Sequence, residues 1–208
     1  MKGGTPGMRL AVLASGYGSN LQAIIDAVGN GKIKGRVEIV ISDNADAYAL
    51  ERAGRHDIAA VHIDPRRFSD REDYDRAILT LLQGKNIGLV VLAGYMRLLS
   101  PVLVEGFRGK IMNIHPSLLP SFPGLDGVQQ AIDYGVKVSG CTVHFVDEGL
   151  DTGPIILQEA VPVYDHDTAD SLQERIHEVE HRLYPRAIQL FIAGKLNLEG
   201  RRCFQNEA

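Results

Sequence analysis

Short, nearly all-apolar runs alternate along the first half of the chain with stretches whose apolar residues recur every three or four positions. Residues 10–14 (LAVLA) form the first such run, ended by Ser15-Gly16-Tyr17-Gly18. Apolar side chains at both odd and even positions predict a strand buried on both faces, as in parallel sheets. Leu21, Ile24, Ile25 and Val28 then keep the i, i+3, i+4, i+7 spacing of a helix, with Ser19 or Asn20 suited to cap it and residues 29–31 ending it. The same reading places strands at 37–41, 59–63, 89–93 and 111–114 and helices at 46–54, 70–83 and 101–107, the strand at 59–63 being the weakest. On helix 70–83 the apolar side holds Tyr74, Ile78, Leu81 and Leu82. Strands alternating with helices over residues 10–114 predict an α/β fold, a single Rossmann-like domain whose mostly parallel sheet is flanked by helices.

Beyond residue 120 the pattern changes. Residues 128–134 predict a helix closed by Gly135, and 140–146 and 154–163 are β-rich, with alternation in Thr142-Val143-His144-Phe145. Between them lies an acidic, glycine-bearing loop from Asp147 to Gly153. Residues 172–191 predict a long amphipathic helix with Leu172, Ile176, Val179 and Leu183 on one face, which Pro185 is expected to bend or split. Residues 1–8 read as a flexible extension, the fold beginning at Arg9.

Composition narrows the function classes. A chain of 208 residues favours one domain and buries roughly 70% of its unfolded surface, so it needs no staple. The net charge of −4 carries no basic excess and argues against a dedicated nucleic-acid binder. No apolar run approaches a membrane span. Two cysteines, Cys141 and Cys203, are too few for a disulfide framework or a Cys-rich zinc site, and the plain expectation is a reduced cytoplasmic protein.

In open α/β sheets, ligands bind beyond the carboxyl ends of the strands. The ends after Ala14, Ala93 and Ile114 all carry unusual residues. Gly16-x-Gly18-Ser19-Asn20 lies between a strand and a helix, where free backbone N–H groups favour an anion. It lacks the Gly-Lys-Ser/Thr of a P-loop, and it matches the dinucleotide fingerprint only in part: Leu21 stands at the third glycine, while Asp43 sits near the place of the ribose-binding acid. A phosphomonoester site is the favoured reading, against a tight turn without ligand.

Asn113 and His115 point to one face of a strand and present an amide donor and an imidazole, the parts of an oxyanion site. Asp151, in its glycine-flanked loop, is a carboxylate suited to keep such an imidazole charged. A structural Asn-x-His and an ordinary hairpin acid are the competing readings. His177-Glu178-Val179-Glu180-His181 has the zincin pattern, but with no obvious third ligand a polar helix flank is preferred over a metal site. No Gly-x-Ser-x-Gly elbow occurs, and Cys141 reads as a buried hydrophobe. The residues therefore point to direct transfer at a carbonyl through a tetrahedral intermediate.

Gly16-x-Gly18-Ser19-Asn20-Leu21-Gln22, Leu92-Ala93-Gly94-Tyr95-Met96-Arg97, Asn113-x-His115-Pro116-Ser117-Leu118-Leu119-Pro120 and Asp151-x-Gly153-Pro154 occur in that order. Together, over residues 9–196, they resemble the phosphoribosylglycinamide formyltransferases, folate-dependent enzymes of purine synthesis. The resemblance implies formyl transfer from 10-formyltetrahydrofolate, a co-substrate, to the amine of glycinamide ribonucleotide, with no metal required. It implies Asn113, His115 and Asp151 as the catalytic trio, Gly18, Ser19 and Asn20 at the ribotide phosphate, and Glu180 at the ribose hydroxyls. Arg71, Met96, Arg97, Leu98 and Leu99, with Asn113, would receive the folate. The expected layout is one domain, 9–208, with a phosphate-binding half at 9–112 and a folate-binding and catalytic half at 113–208. Small-molecule substrates are the expected partners, with neither nucleic acid nor membrane, and a homodimer is left open. One departure stands out: after Pro123-Gly124-Leu125 the chain has Asp126-Gly127-Val128 where many members carry a histidine-bearing segment.

Two relatives of that group share the Asn-x-His-Pro block. Formyltransferases acting on initiator tRNA are expected to add a C-terminal RNA-binding domain and a basic surface, whereas this chain ends at 208 with a net charge of −4. Formyltetrahydrofolate hydrolases are expected to add an N-terminal domain, whereas the first strand here starts at Leu10. A non-catalytic nucleotide-binding module would use the glycine loop alone and leave Asn113, His115 and Asp151 unexplained.

Overall fold

The computed structural model describes residues 7–206. The chain packs as two compact units, one reaching Ile111 and the other starting at Met112. The first holds β1 (Met8–Leu13), α1 (Ser19–Gly29), β2 (Gly35–Ser42), α2 (Tyr48–Arg55), β3 (Ala59–His62), α3 (Arg71–Gly84), β4 (Leu89–Leu92) and α4 (Pro101–Gly106). Its strands run in the order β3-β2-β1-β4, all neighbours parallel. β4 is buried along its whole length, as its unbroken apolar sequence requires, and β1 over its last four residues. Leu21, Ile24 and Ile25 form the buried side of α1, and Tyr74, Ile78 and Leu82 that of α3.

Two expectations differ from the structure here. β1 begins at Met8, because Met8 already pairs with Gly35 of β2, so that residue is not part of an extension. Residues 1–6 of the expected extension lie outside the described residues. Neither Ser19 nor Asn20 caps α1. The capping residue is Gly18, in left-handed conformation at φ 73° and with no side chain to cap, and both candidates lie inside the first turn.

The second unit carries β5 (Ile111–His115), α5 (Gly127–Tyr134), β6 (Val138–Phe145), β7 (Ile155–Pro162), α6 (Ala169–Ile192), β8 (Leu196–Glu199) and β9 (Arg202–Gln205). β5-β6-β7 are antiparallel neighbours, β7 meets β9 in parallel, and β8 and β9 form an antiparallel pair. Gly135 closes α5 in left-handed conformation, as expected. Pro185 does not split α6, which runs unbroken for 24 residues. Its neighbours Leu183, Tyr184, Ala187 and Ile188 are all buried with it, and that packing outweighs the roughly 3 kcal/mol an interior proline costs. The fold is α/β, parallel in its first unit and chiefly antiparallel in its second. Among the described residues no helix is long and apolar enough to cross a membrane.

Candidate active site

Antiparallel pairing of β5 with β6 sets Asn113 opposite His144 and His115 opposite Thr142. Residues two apart on a strand share a face, so the four side chains form one patch at the end of β5. Asn113 Nδ2 lies 3.2 Å from His144 Nε2 and 3.5 Å from Asp151 Oδ1. His144 Nδ1 donates to the Phe145 carbonyl at 2.9 Å, and its Nε2 faces both the Asn113 amide and, at 3.6 Å, Asp151 Oδ1. His115 Nε2 donates to the Phe122 carbonyl at 2.7 Å, while its Nδ1 lies 3.4 Å from Asp151 Oδ2. The two imidazoles are buried, whereas Asn113 and Asp151 are partly open to solvent.

Asp151 is held from three sides. Gly124 N–H donates to its Oδ2 at 2.8 Å, and the His115 and His144 rings face one oxygen each. Burial pushes its carboxyl up, but hydrogen bonding from His144 and Gly124 and the two imidazoles outweigh burial and hold it below the usual carboxylate range. Asp151 and Phe122 both adopt left-handed backbone, at φ 52° each, a conformation that bulky residues keep only where surrounding contacts enforce it. Gly127 explains part of the variant segment: a Cβ there would stand 3.2 Å from His115 Nε2 and 3.1 Å from the Phe122 oxygen. Thr142 braces the exit from β5, donating to the Ser117 carbonyl at 2.7 Å and accepting from Leu119 N–H at 3.0 Å.

The first unit holds two loops of interest. In the glycine loop, Gly16 O accepts from Ala49 N–H at 3.1 Å and Tyr17 O from Arg52 Nε at 2.9 Å. Both carbonyls are thus tied to α2 beside the start of α1, a helix end of the kind that favours an anion. Gly18 approaches so closely that a Cβ would lie 2.9 Å from the Ala49 Cβ. In the second loop, after β4, Met96 and Leu98 are exposed, an unusual display of adjacent apolar side chains. Arg97 lies over the Tyr74 ring at 5.1 Å, and Tyr74 shares a hydrogen bond with Tyr95 at 3.0 Å. Arg71 is exposed on the first turn of α3.

Glu180 is buried on α6, and its Oε2 takes a hydrogen bond from His177 Nδ1 at 2.8 Å. The His177 and His181 rings stack in parallel with centroids 5.9 Å apart. Among the described residues no group of three or more His, Cys, Asp or Glu side chains is set to hold a metal ion.

The structure thus brings Asn113, His115 and Asp151 together, and places Gly18, Ser19, Asn20, Arg71 and Met96–Leu99 in the first unit and Glu180 on α6. Sequence reasoning missed His144 and the backbone groups of Phe122 and Gly124. The alternation Thr142-Val143-His144 held the signal for His144, but reading it required the β5–β6 register.

An α/β fold with an amide, two imidazoles and a carboxylate converging at a strand end is suited to an enzyme of group transfer at a carbonyl. The chain belongs to the formyl transferase family, which it matches over residues 8–188. It is similar to the phosphoribosylglycinamide formyltransferase of Bacillus subtilis (strain 168), at 42% identity over 194 residues, 93% of this chain and 98% of that protein. The crystal structure of glycinamide ribonucleotide transformylase 1 from Symbiobacterium toebii matches with a TM-score of 0.96 and 51% identity, covering 100% of both chains. The trifunctional purine biosynthetic protein adenosine-3 of Drosophila melanogaster is 48% identical over 188 residues, 89% of this chain but 14% of that protein.

Proposed function

We propose that the chain transfers the formyl group of 10-formyltetrahydrofolate to the amine of 5′-phosphoribosylglycinamide, giving formylglycinamide ribonucleotide and tetrahydrofolate in de novo purine (IMP) synthesis in the cytoplasm. Gly18, Ser19 and Asn20 take the ribotide phosphate and Glu180 its ribose hydroxyls. Arg71, Met96, Arg97, Leu98 and Leu99, with Asn113, take the folate.

The observation that carries the reading is the contact of Asp151 with both His115 and Asn113. The substrate amine attacks the formyl carbon and charge develops on the formyl oxygen. His115 Nε2 is committed to Phe122 at 2.7 Å, so the protonated ring presents its Nδ1–H, beside Asp151 at 3.4 Å, as the donor to that oxygen. Asn113 donates a second hydrogen bond through the N–H that only loosely meets Asp151. The Asp151 carboxylate stabilises positive charge on His115. As the carbon–nitrogen bond to the folate breaks, the proton released by the attacking amine passes through water to the departing folate nitrogen. No metal is needed in this scheme.

The test is to incubate the protein with 10-formyltetrahydrofolate, with and without glycinamide ribonucleotide. Folate consumption that requires the ribotide is expected; consumption without it indicates a hydrolase and overturns the reading. Loss of one oxyanion donor typically costs about 2.7–4 kcal/mol, or roughly 10²–10³ in rate. His115→Ala is expected to lose that much kcat while ribotide KM stays close to the parent value.

A further inference from the structure

Ser15 opens the glycine loop, and its hydroxyl makes two bonds of opposite sense. It donates to Asp43 Oδ1 at 2.6 Å and accepts from the Met96 N–H at 2.9 Å. The Ser15 N–H donates in turn to the Gly94 carbonyl at 3.0 Å. One residue therefore ties the loop after β1 to the loop after β4, through both its backbone and its side chain. A hydroxyl has one proton, and delivering it to a carboxylate is the stronger, charge-assisted choice. That choice turns a lone pair to Met96 and fixes where the loop begins. The far end of the same loop is fixed as well: Ser100 N–H donates to Oδ2 of the buried Asp75 at 2.5 Å. Between these anchors stand the exposed side chains of Met96 and Leu98. Asp43, which the dinucleotide fingerprint would assign to a ribose, has one oxygen occupied by Ser15 instead.

We propose that Ser15 and Asp43 are positioning residues that couple the two substrate loops, so that ribotide phosphate on the glycine loop tightens folate binding at Met96–Leu99, and folate tightens ribotide binding. The proposal rests on the loop assignments made under the proposed function. A phosphate held by the amides that follow Gly16 orders the loop that carries Ser15. An ordered Ser15 lowers the cost of ordering Met96 and the residues after it. Such a coupling is reciprocal by thermodynamic necessity.

Calorimetric titration of glycinamide ribonucleotide and tetrahydrofolate tests this, because the pair lacks a formyl group and cannot react. Each ligand is titrated alone and against saturating amounts of the other. In the parent protein each ligand is expected to tighten the other by about 5-fold or more. Ser15→Ala, which keeps only the backbone bond to Gly94, is expected to cut that factor to about 2 or less, whereas Asp43→Asn, which keeps an acceptor oxygen for the hydroxyl, retains most of it. A merely structural tie would weaken each ligand alone and leave the mutual factor intact. Independent binding in the parent, or an undiminished factor in Ser15→Ala, overturns the proposal. Should Ser15→Ala fail to fold, Asp43→Ala is read in its place, with loss of the factor expected and its persistence overturning the coupling. If the parent binds neither ligand, the assigned function falls and the coupling with it.

Discussion

His144 orients the amide of Asn113 from one side while its own ring is anchored to the Phe145 carbonyl. Removing the ring leaves the Asn113 amide without that neighbour and Asp151 without one of its two imidazoles. Displacing a reacting group by about 1 Å can cost roughly 10²-fold in rate. His144→Ala is therefore expected to lower kcat by up to about 10²-fold with little change in ribotide KM, and steady-state kinetics would read both. An unchanged kcat would remove His144 from the site. The contrast with Asn113 and His115 shows what a single sequence makes legible. Those two residues lie in one continuous run, where strand alternation puts them on a common face. His144 joins them only through a pairing with a partner 31 positions away, and no local pattern specifies that register.

Local pattern succeeds for elements that satisfy themselves locally and fails for those decided by packing. β1, β2, β4 and the helices between the strands were readable because buried strands must be apolar and helices show their period, whereas β3, the weakest in the sequence, is mostly exposed. β8 and β9 were not foreseen, since they are mostly exposed four-residue strands paired mainly with each other. Pro185 misled because proline propensity is local, whereas the burial that keeps α6 continuous is not. Gly153 belongs with the packing-determined features. A Cβ there would overlap the Phe145 carbonyl oxygen and stand 3.3 Å from the Asp147 nitrogen, and the Phe145 N–H bonds to the Pro154 carbonyl at 2.9 Å. Gly153→Ala must push the 147–153 loop away from β6, and overpacking of this kind costs about 1–3 kcal/mol. Urea unfolding should report that loss. Since Asp151 rides on the same loop, kcat is expected to fall further than His144→Ala lowers it. Parent-like stability in Gly153→Ala would show that the loop accommodates a methyl group without moving.

Across the whole molecule, two stacked histidines on α6 contribute to the response of stability to pH near neutrality with shifts that oppose each other. The hydrogen bond to Glu180 raises the His177 pKa and burial only partly offsets it. For His181 burial is the leading cause and the neighbouring His177 the second, and together they lower its pKa despite Glu180. An unfolded histidine titrates near about 6.5. His177, raised above that, contributes stability that is complete below about 6.5 and lost as pH rises through its folded value. His181, depressed below it, does the reverse: the unfolded chain takes up the proton first, so stability is lost as pH falls below about 6.5. Cys141, pushed up to about 12 chiefly by burial, stays protonated throughout this window. The contribution of Asp151, whose carboxyl is depressed, is lost only as pH falls through its folded value, below the ordinary carboxylate range. In the parent the two histidine contributions therefore have opposite slopes with pH. His181→Gln is expected to become more stable on acidification between about pH 8 and 5.5, and His177→Gln less stable, because burial keeps His181 depressed after its charged neighbour is gone. Urea midpoints for the two variants across the range should diverge in sign. Parallel profiles would mean that the two rings do not titrate separately, and that the Glu180 contact does not distinguish one from the other.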